Sequence, residues 1–89
     1  MINNKITIIN KLGLHARAAA KFVTIASRFE ATIEIACKNN KINGKSIMGV
    51  MMLAASKGTE IELIISGDDE TQASAALSEL IKNRFDEKE

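Results

Sequence analysis

Eighty-nine residues, 46% of them hydrophobic, allow one small domain with a core of its own and argue against wholesale disorder. With no proline, tryptophan or tyrosine, that core must be aliphatic and alanine-rich around three phenylalanines, and one histidine with one cysteine excludes an internal disulfide and leaves little for a metal site. The net charge of +1 is unevenly spread: residues 1–57 hold nine Lys/Arg against two Glu, and residues 58–89 hold three Lys/Arg against nine acids, which points to an interaction face unless the two halves interleave in the fold.

In chain order, Met1-Ile2-Asn3-Asn4-Lys5 lacks the apolar run of a signal peptide. Lys5 to Ile9 reads as a first strand, with Ile6 and Ile8 on one face. Lys11-Leu12-Gly13 is an exit from that strand into a turn, and Gly13-Leu14-His15-Ala16-Arg17 leads into an alanine-rich helix former. His15, the only histidine, is therefore expected at the N-cap or first position of a helix running from about Ala16 to Arg28. Free N–H groups and the positive end of the helix dipole meet there, so a phosphate carried on the imidazole would find donors and Arg17. The plainer alternative is a histidine that fills a loop position. Ala19, Phe22, Val23, Ala26 and Phe29 share the buried side of that helix. Arg17 and Lys21, four residues apart, lie on or beside the other side, as a solvated face or as a docking surface.

Ile33, Ile35 and Cys37 alternate with polar residues in a half-buried second strand, so Cys37 is expected to pack. Asn39-Asn40 reads as the tight turn of a hairpin, with Lys41-Ile42-Asn43 as a short third strand. Gly44-Lys45-Ser46 ends like a P-loop, but the glycine needed five positions earlier is Asn39, so nucleotide binding is rejected. Ser46 suits the N-cap of a second helix, Ile47 to about Ser56, closed by Lys57-Gly58. Val50, Leu53 and Ala54 form one inward stripe of that helix, and Ile47, Val50, Met51 and Ala54 form a rival one. The run Val50 to Ala55 is too short to cross a bilayer, so a cytoplasmic protein without a membrane partner is expected.

Thr59 to Ser66 alternates as a fourth strand. Asp69 with Gln72 has the spacing of a capping box for a third helix, whose core stripe is Ala73, Ala76, Leu77, Leu80 and Ile81. The tail from Phe85 to Glu89 is expected to fray. The resulting order, β-α-β-β-α-β-α, suits an α+β two-layer domain with helices on one face of an antiparallel sheet, and its first six elements also fit a ferredoxin-like fold.

Gly13 to Arg17, together with Gly44-Lys45-Ser46-Ile47-Met48-Gly49-Val50-Met51, resembles the HPr family, histidine-containing phosphocarriers of the bacterial phosphoenolpyruvate-dependent phosphotransferase system. The resemblance spans nearly the whole chain and includes the spacing of the two motifs. One departure is Ala18, where many family members have proline. Alanine is itself an excellent helix former, so loop rigidity rather than chemistry should change. The resemblance implies an open-faced β-sandwich with strand order 1-4-2-3. It also implies that His15 accepts a phosphoryl group on Nδ1 from enzyme I and passes it to IIA proteins. Arg17 would pair with the phosphoryl oxygens. Ser46 would be phosphorylated by HPr kinase/phosphorylase in some bacteria, where the helix dipole tolerates the modification.

Ala16, Lys21, Ile47, Met48 and Met51 are the docking residues expected around that site, methionine suiting a surface that meets several partners. A histidine carrier of this kind needs no cofactor or metal, leaves the rest of the transfer site to its partners, and is a phosphoryl carrier rather than a free-standing enzyme. A shuttle between partners is most simply a monomer. Three alternatives remain open on the sequence. One is a carrier for a nitrogen-related regulatory branch, one a regulatory interaction domain without phosphate on His15, and one a small nucleic-acid binder. The last is weakened by scarce aromatics.

Overall fold

Period-two patterning builds the sheet and its register. The computed structural model describes residues 1–88. Its strands are β1 (Ile2–Thr7), β2 (Thr32–Cys37), β3 (Asn40–Asn43) and β4 (Glu60–Ser66). All pairings are antiparallel and the order is β1-β4-β2-β3. Ile6 pairs with Ile61, Ile35 with Leu63 and Ile35 with Ile42, so the inward side chains of neighbouring strands line up on one face. The opposite face carries Asn3, Lys5, Thr7, Thr32 and Glu60, all exposed.

Helices α1 (Ala16–Ala26), α2 (Ile47–Met52) and α3 (Glu70–Lys82) complete the fold. This is the open-faced sandwich expected from the family resemblance, and it settles the ferredoxin-like alternative. Ala18, Ala19, Phe22, Val23 and Ala26 of α1 are buried, as are Ala73, Leu77, Leu80 and Ile81 of α3. They meet Ile33, Ile35, Cys37, Ile61, Leu63 and Ile65 from the sheet in one core. Each large side chain taken fully from water contributes about 1.5–3 kcal/mol. Cys37 packs there, as its phase predicts.

Several boundaries differ from the sequence reading, each for a non-local reason. β1 begins at Ile2 rather than Lys5, because β4 is long enough to pair Ile2 with Ile65. The hairpin loop is Lys38-Asn39, one residue earlier than read: Cys37 pairs with Asn40, and Lys38, not an asparagine, takes the positive φ of 56°. α1 stops at Ala26, where Arg28 and Phe29 donate to carbonyls three residues back and tighten the last turn. α2 stops at Met52, because Ala54 turns to φ 50° and the Ala55 carbonyl accepts from Leu14 N–H at 2.8 Å. Gly58 is therefore not the C′ residue of α2. It forms the turn before β4, donating to Ile8 O at 2.7 Å. Of the two stripes weighed for α2, Val50 is buried and Leu53 half-buried, while Ala54 is exposed and leaves both stripes.

Asp69 precedes α3 at the N-cap, but its side chain makes no cap bond, so the capping box does not form. The carboxylate reaches across to the loop between α1 and β2, accepting from Glu30 N–H and Ala31 N–H at 2.9 Å each. The Glu30 N–H bond is the main reason its pKa falls below the usual 3.8. Burial opposes the shift, and the Ala31 N–H and the Lys45 charge reinforce it. A depressed carboxyl stabilises the fold above its unfolded pKa, and that contribution is lost as pH falls through the folded value. Asp69→Asn should therefore lower the urea midpoint at pH 7, and the gap to the wild type should close below pH 3.8. Urea titrations at neutral and acid pH measure it, and a pH-independent gap would contradict the assigned cause.

Candidate functional site

A tight loop hands the chain from β1 to α1 and fixes where the imidazole stands. Asn10 is fully buried at the loop's start. Its Nδ2 donates to Gly13 O at 2.8 Å, and Gly13 N–H donates to Asn10 O at 3.2 Å. Gly13 has φ 68°, and a Cβ there would lie 2.4 Å from Ala55 O, so no other residue fits without moving the backbone of Ala55 and Ser56. Leu14 is buried beside it. His15 follows as the N-cap of α1, with φ −82° and ψ 178°. Its carbonyl accepts the first helical bond, from Ala19 N–H at 2.8 Å. The N–H groups of Ala16, Arg17 and Ala18 thus come before the helical ladder, facing the side from which an anion would approach.

The His15 side chain does not cap the helix. It is 27% exposed, and its Nε2 meets a carboxylate oxygen of Glu87. Glu87 Oε1 in turn accepts from Asn10 Nδ2 at 2.9 Å. Burial works against ionising Glu87. The hydrogen bonds from Asn10 and His15 and the charges of His15 and Arg17 outweigh it, and hold the carboxyl below its usual 4.5.

Glu87 lies in the tail that the sequence reading left to fray. For Phe85 to Glu87 that expectation is wrong because Phe85 is fully buried in the core, while Glu89 lies outside the described residues. After α3 the chain makes a single 3-10 turn in which Arg84, Phe85 and Asp86 have φ of 57°, 54° and 62°. Left-handed backbone costs about 1–2 kcal/mol per non-glycine residue, a cost that burial of the phenyl ring offsets in part. Lys21 Nζ donates to Phe85 O at 2.8 Å and lies 4.0 Å from Asp86 Oδ2. A signal for this docking was present: Phe85 continues the spacing of Leu77 and Ile81 by four. Nothing local marks Asn10 or Glu87. The tail also shows the basic and acidic halves of the chain interleaving here.

The structure thus groups His15 and Ala16 at the start of α1, with Arg17 in its exposed first turn, and Lys21 half-buried under the tail. Lys11, Leu12, Arg17, Lys21, Asp86, Glu87 and Lys88 line one shallow depression beside it. Ser46 stands apart as the N-cap of α2, its Oγ accepting from Gly49 N–H at 3.1 Å. Ile47, Met48 and Met51 are exposed by 44%, 71% and 39%, Met52 beside them by 76%, and Leu12, not singled out from the sequence, by 66%. Among the described residues no group of His, Cys, Asp and Glu is arranged to hold a metal ion, and no helix is long and apolar enough to cross a membrane.

The family model for the HPr component phosphorylation site of the phosphotransferase system matches residues 2–83. The chain is 53% identical over 87 residues to the phosphocarrier protein HPr of Xylella fastidiosa, covering 98% of both chains. It superposes on the crystal structure of HPr-C-His from Thermoanaerobacter tengcongensis with a TM-score of 0.96 and 47% identity, over the full length of both. Crh of Bacillus subtilis, solved as a dimer with a swapped domain, is 42% identical over 94% of this chain and 97% of its own, with a TM-score of 0.76.

If Phe85 anchors the tail, Phe85→Ala should cost about 3–5 kcal/mol in chemical denaturation. A frayed tail would lose less than about 0.5 kcal/mol.

Proposed function

The chain belongs to the HPr family of phosphocarriers of the phosphotransferase system, and from that premise we propose that His15 accepts a phosphoryl group from enzyme I and passes it to IIA proteins. The observation that carries the reading is the imidazole at the N-cap of an eleven-residue helix, solvent-accessible, with an exposed Arg17 in the first turn. A ring nitrogen lone pair attacks phosphorus, and the bond to the donor breaks as the new N–P bond forms. The phosphoryl oxygens meet the amides of the first helical turn and the Arg17 guanidinium. These interactions are few and open to solvent, which suits a group that must leave again.

Ile47, Met48 and Met51 form the docking patch, with Ala16 at the lip of the site and Lys21 beside it. Exposed methionine and isoleucine side chains adapt to several partner surfaces. Ser46 is the second phosphorylation site, for HPr kinase/phosphorylase. In its unmodified form the hydroxyl caps α2 through Gly49 N–H. The chain works in the cytoplasm as a monomer, carrying phosphate for sugar uptake.

The test is incubation with phosphoenolpyruvate and enzyme I. The wild type should gain acid-labile phosphate and His15→Ala none, whereas labelling that survives in His15→Ala would overturn the assignment. Arg17→Ala should slow transfer about 10- to 100-fold, the worth of a charge-assisted hydrogen bond.

A further inference from the structure

The contact between Glu87 and His15 has a definite proton assignment. Gly13 O is a carbonyl and can only accept, so the Asn10 side-chain atom 2.8 Å away is its NH2. That NH2 has a second hydrogen, and Glu87 Oε1 accepts it at 2.9 Å. Glu87 is ionised, because Asn10, His15 and Arg17 together favour its charge over the penalty of burial. Its second oxygen therefore also accepts, and among the described residues the side-chain atom it meets is His15 Nε2. A ring that donates from Nε2 in its neutral form carries its lone pair on Nδ1.

We infer that Glu87, itself held by Asn10, sets the tautomer of His15 and so leaves the ring lone pair on Nδ1, the nitrogen that the family resemblance already implies as the phosphoryl acceptor. This rests on the phosphocarrier reading of His15 and deepens it. Glu87 is a positioning residue: it touches the reactive ring at the nitrogen opposite to the attack. The step balances without another reactant. The Nδ1 lone pair forms the N–P bond, the donor's bond to phosphorus breaks and its electrons stay with the donor. The Nε2 proton stays on the ring between Nε2 and the carboxylate, and the positive character that the ring gains faces a negative charge already in place. Arg17, Lys21, Asp86, Lys11 and Lys88 border the same depression. Lys21 is engaged with Phe85 O and Asp86, so Glu87 is the acid aimed at the ring.

Glu87→Gln gives a sharp test because it keeps the shape. A carboxamide has one accepting oxygen and one donating nitrogen. It cannot accept from Asn10 and from Nε2 at once. If its oxygen keeps Asn10, its NH2 faces Nε2 and favours the opposite tautomer, with the proton on Nδ1.

The experiment reads the His15 ring by long-range proton–nitrogen NMR on the unphosphorylated protein, without partners, at alkaline pH where imidazole is neutral. The wild type should show the proton on Nε2 in at least about tenfold excess. Glu87→Gln should lose that excess with its amide spectrum otherwise unchanged. Its rate of phosphorylation by enzyme I should fall by the fraction of molecules in the wrong tautomer. A wild-type ring protonated on Nδ1, or a tautomer ratio unaltered in Glu87→Gln, would overturn the inference. Because the ring is read before any phosphate is present, a wild type with the expected tautomer that enzyme I fails to label would overturn the carrier reading instead.

Discussion

An imidazole at a helix N-cap is under two competing demands. The position normally rewards a short side chain that bends back to accept from the helix's own amides, whereas a carrier must leave those amides for its cargo. Here the conflict is settled by turning the ring away, onto Glu87, while the His15 carbonyl alone starts the helical ladder. Much of the surrounding structure serves that arrangement. Gly13 supplies the left-handed turn against Ala55, Leu14 fills the core behind the loop, and Asn10 ties the loop to the tail.

The tail contact stores cost as well as stabilisation. Three successive left-handed residues are unfavourable, and Asn10 Oδ1 is buried with no partner among the described residues, a loss of about 1–3 kcal/mol. Phe85 in the core and the Lys21 bond to its carbonyl offset part of these terms. Strain gathered in the segment that holds one side chain in place is a common mark of a working site. The sheet, by contrast, shows plain alternation with matched cross-strand pairs, and it supplies the rigid floor on which α1 is held.

What the sequence makes legible follows the range of the interactions. Alternation at Ile33, Ile35 and Cys37, and helical spacing at Ala19, Phe22, Val23 and Ala26, encode the layers locally and were read correctly. His15 and Ser46 as N-caps were legible for the same reason, since an N-cap is a property of a few consecutive residues. The length of β1, the end of α2 and the duty of Asp69 depend on chain that is distant in sequence, from Ile65, Leu14 and Ala31 respectively. Glu87 is the extreme case. Its partner is 72 positions away, and an acidic tail looks solvated until Phe85 is seen to be buried.

The central claim is that one ring nitrogen carries phosphate while the other stays bound to the tail. The most direct measurement is phosphorus–nitrogen coupling on the His15 ring of nitrogen-labelled protein after loading by phosphoenolpyruvate and enzyme I. The account predicts coupling at Nδ1 with the proton retained on Nε2. Phosphorus coupled to Nε2, or to no histidine nitrogen at all, would contradict it.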